Sequence, residues 1–190
     1  ENRELTLLFV DIRGFTRMVN TQAPEESIEL LNTYYTLMFD AISGQGGVVN
    51  QMIGDGLMAI FGAPLPLDDP PGAAVRAALD MIEMIELLNV ERQGTGSVPI
   101  AIGIGIASGE VVAGYTGTQQ RATYTCIGDT VNLAARLEAH TKLAQRAILI
   151  DGATRGAIGD AIAVEALGAV AFKGKAGPVE VFAVAPAANR

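Results

Sequence analysis

Two strand-length apolar runs, Val48 to Ile53 and Leu57 to Phe61, are separated only by Gly54-Asp55-Gly56. Asp-Gly is a strong hairpin signal, because the tightest turns need positive φ and glycine supplies it without steric cost. The turn also leaves a carboxylate, Asp55, at the tip of the pair. An earlier apolar run, Leu5 to Asp11, reads as a buried strand and again ends in an acid. If these strands are neighbours, Asp11 and Asp55 can grip the same divalent metal. Magnesium and manganese prefer oxygen ligands and usually bind through one or two carboxylates plus substrate phosphates.

Helical patterns alternate with these runs. Gly14 to Thr16 reads as a turn. Thr21 to Ser43 reads as a helix with Pro24 in its first turn, stopped by Gly44, Gly46 and Gly47. A second helix, capped by Asp69, runs to about Glu91 with Val75, Leu79, Ile82, Ile85 and Leu88 toward the core. Ile100 to Ser108 and Val111 to Tyr115 read as a second hairpin turning at Ser108-Gly109. Gly103 and Gly105 in it leave room on one face for a close approach. Thr123 to Ile127 is a short strand, and Asp129 or Thr130 caps a helix from Val131 to about His140. A strand (147–150), a short helix (153–158) and two strands (163–171 and 179–184) follow. The order βαββαββαβ predicts an α+β fold with a mostly antiparallel sheet, close to the ferredoxin-like βαββαβ core. One domain over residues 1–185 and a tail at 186–190 are expected.

The chain is 190 residues long, 49% hydrophobic and 18% charged, enough for one well-buried α/β domain. A formal net charge of -8 argues against a nucleic-acid partner, which needs a basic stripe. The single cysteine, Cys126, fits a reducing compartment and reads as core. The single histidine, His140, argues against a His-based metal site or a Ser-His-Asp triad. No apolar run is long enough for a membrane helix. The start, Glu1-Asn2-Arg3-Glu4, is no signal peptide and lacks an initiator Met. The expectation is a cytoplasmic piece of a longer protein, attached to a membrane only through segments outside it.

Asn132 and Arg136, in GDTVNLAAR, are four apart and share a helix face. Lys173 and Lys175 flank Gly174 in a late basic turn that could reach phosphate. The stretches LFVDIRGFT, IGDGLMAIFG and YTCIGDTVNLAARLE, in this order and spacing, resemble the catalytic domain of class III nucleotidyl cyclases, in a match over nearly the whole chain. The resemblance implies that Asp11 and Asp55, with the Ile12 carbonyl, bind two Mg2+ or Mn2+ ions per site. It implies that Gly14, Phe15 and Thr16 cradle phosphate, that Asn132 holds the ribose oxygen, and that Arg136 stabilises charge at the α-phosphate. It also implies a head-to-tail homodimer in which one copy supplies the metals and the other the Asn-Arg helix.

Base recognition departs from the family's usual residues. Gln51 stands where adenylyl enzymes commonly have Lys and guanylyl enzymes Glu, and Thr125 occupies the second base-reading position. Gln51 can donate to adenine N1 and Thr125 can accept from N6, but both side chains can reverse for guanine. ATP is the expected substrate, giving cyclic AMP and pyrophosphate, because Thr125 matches and Glu is absent. A guanylyl or dual-substrate cyclase is the alternative. A catalytically silent cyclase-homology module is the rival from another class.

Overall fold

The computed structural model describes residues 1–185, so the expected tail lies outside the described residues. The elements run β1 (Asn2–Ile12), α1 (Phe15–Val19), α2 (Pro24–Gly44), β2 (Val48–Ile53), β3 (Gly56–Phe61), α3 (Pro70–Gly94), β4 (Ile102–Thr118) and β5 (Arg121–Ile127). They continue with α4 (Asp129–Ala144), β6 (Ile148–Asp151), α5 (Gly152–Ile158), β7 (Val164–Val170) and β8 (Val179–Val184). The sheet order is β2-β3-β1-β4-β6-β8-β7, with β5 paired to β4. The first four strands, joined through α2 and α3, make the expected ferredoxin-like unit. β4 and β6 are parallel, and the other pairings are antiparallel.

Alternation along β1 divides the core. Leu8, Val10 and Ile12 join the cluster under α2 and α3, while Leu5 and Leu7 join the one that holds Leu133, Ala134 and Leu137 of α4. Successive strand residues face opposite ways, so a strand apolar throughout must be covered on both sides.

The glycines of β4 decide how closely α4 can lie. A Cβ on Gly105 would collide with the backbone nitrogen of Glu138 and the carbonyl oxygen of Ala134, and one on Gly103 with the hydroxyl of Thr141. A Cβ on Gly109 would sit 2.8 Å from the Thr130 hydroxyl. The expected close approach at Gly103 and Gly105 is thus made by the chain's own helix.

Several local expectations are corrected. Ser108-Gly109 is no turn: β4 runs straight through, with Ser108 opposite Thr6 and Gly109 opposite Leu5. Its small residues serve helix packing, and the chain reverses after Thr118, which pairs with Arg121. The turn between β2 and β3 is Gly54-Asp55 rather than Asp55-Gly56. Ile53 pairs with Gly56, and the positive φ of 58° falls on Gly54. Residues 15–19 form a short helix, and α4 starts after Gly128 without a side-chain cap. Asp69 does cap α3, its Oδ1 accepting from the Gly72 N–H at 3.1 Å. On α3, Val75 and Ile85 are buried as expected, but Leu79, Ile82 and Leu88 are only partly buried, and four alanines, Ala73, Ala74, Ala77 and Ala78, share the buried face.

Candidate active site

Strand register brings the two acids together. β1 and β3 pair Val10 with Leu57, and continuing that register sets Ile12 across from Asp55. The Ile12 N–H donates to Asp55 Oδ2 at 3.0 Å. Asp11, Ile12, Asp55, Gly14, Phe15 and Thr16 line one cavity of about 600 Å³, with Lys142 on its wall. Gly14 takes a left-handed φ of 67°, the bend that turns the chain from β1 into α1.

This corner is electrostatically crowded. Burial pushes the Asp55 carboxyl up, and the charge of Asp11 adds to it, while backbone hydrogen bonds and Lys142 oppose. Glu138, on α4, lines a smaller cavity with Asp11, Gln51 and Met58. Burial, then a hydrogen bond with Asp11 and its charge, push Glu138 up to about 8. Asp11 Oδ1 and Glu138 Oε1 are both buried without a partner. Such oxygens need a cation or a proton. The Tyr34 hydroxyl, fully buried, is pushed well up by burial and then by the charges of Asp11 and Asp55.

The donor set suits a hard divalent cation: two carboxylates and a strand-end carbonyl, with an orphaned carboxylate oxygen among them. No cluster of three or more His, Cys, Asp or Glu with metal-holding geometry occurs among the described residues. The Asp pair would therefore need substrate oxygens to complete a coordination shell.

Gln51 thus adjoins the carboxylate corner, and it also reaches a second cavity on the side of Thr125. Gln51 and Thr125 border one cavity of about 240 Å³, together with Phe9, Met58 and Val131. The Thr125 hydroxyl lies 2.7 Å from that of Thr116. Cys126 also borders this cavity but is buried in the core, as expected. Asn132 is exposed and Arg136 half-buried on α4. Arg136 makes no ion pair among the described residues. Its Nη2 lies 3.5 Å from where a Gly174 Cβ would stand, so the guanidinium sits beside the 173–175 turn. Lys173 is exposed and Lys175 half-buried in that turn, which the edge-on contact of Phe172 with His140 ties to α4.

Glu138 and Lys142 were missed in the sequence. Their signal is helical phase. At about 100° per residue, Glu138 is turned roughly 160° from Arg136. The Asn132–Arg136 face therefore points away from the Asp pair of its own chain.

The family model described as "Adenylate and Guanylate cyclase catalytic domain" matches residues 1–185. "Adenylate cyclase 1" of Rhizobium meliloti (strain 1021) is 31% identical over 182 residues, covering 96% of this chain and 27% of that protein. "Adenylate cyclase, terminal-differentiation specific" of Dictyostelium discoideum is 34% identical over 188 residues, covering 96% of this chain and 9% of that protein. The chain thus spans about a quarter or less of the length of these relatives. Among solved structures, the adenylyl cyclase CyaB from P. aeruginosa superposes with a TM-score of 0.90 at 34% identity, covering 97% of this chain and 95% of the other. The guanylyl cyclase Cya2 gives 0.89 at 35% identity, with 97% and 92% covered.

Proposed function

The chain belongs to the adenylate and guanylate cyclase catalytic domain family, and from that premise we propose that it converts ATP to 3′,5′-cyclic AMP and pyrophosphate at sites shared between two copies in a head-to-tail homodimer. The observation that carries this reading is the split within the chain. The carboxylate pair lies on one side of α4, and Arg136 and the 173–175 turn lie on the other.

Asp11, Asp55 and the Ile12 carbonyl would hold two Mg2+ or Mn2+ ions. When bound, these ions supply positive charge that lowers the pKa of the ribose 3′-hydroxyl and neutralises the triphosphate. The 3′-hydroxyl would give up its proton to solvent water, and its oxygen would bond to the α-phosphorus as the bridging P–O bond to the β-phosphate breaks and pyrophosphate leaves. Gly14, Phe15 and Thr16 line this cavity, and their backbone N–H groups would hold phosphate oxygens there. From the second copy, Asn132 would orient the ribose. Arg136 would stabilise charge developing toward the leaving pyrophosphate, the task of an arginine finger. Lys173 and Lys175 would contact the phosphate tail. Met52, Ile53, Tyr115 and Ile127 leave large apolar surface exposed, Tyr115 at 71%, which supports contact with a second copy.

Adenine is favoured because Gln51 and Thr125 border one cavity and can serve N1 and N6 together. A guanylyl or dual-substrate reading draws support from the amide and hydroxyl, which can both reverse. It also draws on guanylyl as well as adenylyl cyclases among the solved relatives. The test is to give the protein ATP or GTP with Mn2+ or Mg2+ and identify products by mass. Cyclic AMP in excess over cyclic GMP supports the proposal. Cyclic GMP alone assigns a guanylyl cyclase, and no cyclic product with either nucleotide assigns the silent module.

A further inference from the structure

Lys142 stands on the last turn of α4, where a cation is ordinarily accounted for by the helix's terminal carbonyls or by an acid one turn back. Neither accounts for it here. The carbonyls at this helix end are served by two arginines. Arg13 Nη2 donates to the Thr141 carbonyl at 3.2 Å and also to the Arg146 carbonyl. Arg146 Nη1 donates to the Ala144 and Gln145 carbonyls, each at 3.4 Å. Glu138, one turn back, forms no ion pair with Lys142, and its buried Oε1 has no partner. Lys142 is exposed, makes no ion pair among the described residues, and lines the cavity that holds Asp11, Asp55 and residues 14–16. Packing fixes its place there. Gly105 admits the α4 backbone against β4, and Thr141, the preceding residue, is fully buried against Gly103. Arg17, the cavity's other cation, sits instead on the five-residue α1, which buries none of its side chains.

A triphosphate carries more negative charge than two divalent ions can offset once two carboxylates are counted against them, so a cation on the carboxylate side still has charge to neutralise. We propose that Lys142 is a substrate-binding residue: its ammonium contacts the terminal phosphates of the nucleotide, from the same copy that supplies Asp11 and Asp55. This rests on that pair being the metal-binding half of the site. The departing pyrophosphate would then be held from both copies, by Lys142 of one and by the 173–175 turn of the other.

The test is calorimetry in Mn2+ on wild type, K142A, K142Q and D55A. The probes are 3′-deoxy-ATP, which lacks the attacking hydroxyl, and 3′-deoxy-AMP, which also lacks the terminal phosphates. Melting temperature is the folding control. K142A and K142Q should bind 3′-deoxy-ATP about tenfold more weakly, the scale of a hydrogen bond between charged groups, and 3′-deoxy-AMP within about twofold of wild type. Triphosphate affinity within about twofold of wild type in either variant overturns the proposal. So does an equal loss for both nucleotides, which a merely structural role would give. D55A separates the two claims. If it binds 3′-deoxy-ATP as tightly as wild type, the metal reading itself fails. If it loses the nucleotide while K142A does not, only the role of Lys142 fails.

Discussion

The carboxylate corner and the Asn132–Arg136 face are finished to different degrees. In the corner, Asp55 is held by the Ile12 N–H, and Asp11 is met by Glu138, within a wall of buried Val10, Ile12 and Leu57. On the other face Asn132 and Lys173 are exposed, and Arg136 has no acidic partner among the described residues. One region is organised by the chain's own strand register; the other presents polar groups and leaves them unspent. Cations without an acidic partner among the described residues suit a ligand or a second copy more than they suit stability. The two regions also face away from each other across α4, and on the proposed reading a single copy would bring only half of the chemistry to any one phosphate.

The largest expected effect tests the finished half. Asp55→Ala should lower turnover by about 10³-fold or more, several kcal/mol of transition-state stabilisation, with the fold retained by circular dichroism. Activity near wild type would mean that the corner is structural and the comparison misdrawn. The next experiment asks whether the halves belong to different copies. Asp11→Ala and Arg136→Ala chains, each about 10²-fold or more impaired alone, should recover on co-refolding. Random pairing gives about a quarter of wild-type activity, because half the dimers are mixed and each holds one intact site of two. Verified mixed dimers that stay as inactive as either parent would place both halves in the same copy.

The two acids of the corner were legible in the sequence because strand periodicity and a glycine-flanked turn are local signals. The runs holding Val10 and Leu57 and the acids beside them were readable locally; that the two strands pair, in the register that sets Ile12 across from Asp55, is a result of the fold. The Asn132–Arg136 spacing was legible for the same local reason. The close seat of α4 was half legible: Gly103 and Gly105 announced an approach but not by what. Ser108-Gly109 misled because glycine signals both turns and close packing, and only the register with Leu5 shows that the strand continues. Glu138 was not legible as a site residue, since its meeting with Asp11 depends on where α4 lands on β4, a long-range packing result. The alanine face of α3 escaped for a related reason: small residues pack closely without the large-apolar period that marks a core face.

Base choice sharpens the comparison from beside the corner, where Gln51 shares a cavity with Asp11. Gln51 is exposed on β2 and borders the cavity with Thr125. A lysine there has donors and no acceptor, so it matches adenine N1 and opposes the N1–H of guanine. Gln51→Lys should raise the ratio of kcat/KM for ATP over GTP by about tenfold or more, with less effect on Mn2+ dependence. An unchanged ratio would remove Gln51 from base recognition and leave the cavity unassigned.

The smallest effect concerns an acid outside both halves. Asp151 is as buried as any acid in the corner, at 6% exposure, yet its Oδ1 is fully used. It accepts from the Thr154 N–H at 3.0 Å, the Thr154 hydroxyl at 2.6 Å and the Ser108 N–H at 3.4 Å, capping α5. Asp151→Ala should therefore cost about 1 to 2 kcal/mol of folding stability, the usual cost of a lost cap. Burial raises the Asp151 carboxyl above the ordinary range, the hydrogen bonds opposing. The folded chain thus holds this proton more tightly than the unfolded one, and the associated stability is present at acid pH and lost as pH rises through the folded value. The wild-type advantage over Asp151→Ala in urea unfolding should be largest below the ordinary carboxylate pKa and shrink toward neutral pH. An advantage that grows toward neutral pH would show that the ionised cap dominates, and a hydrogen-bonded buried acid would then no longer contrast with the orphaned pair at Asp11 and Glu138.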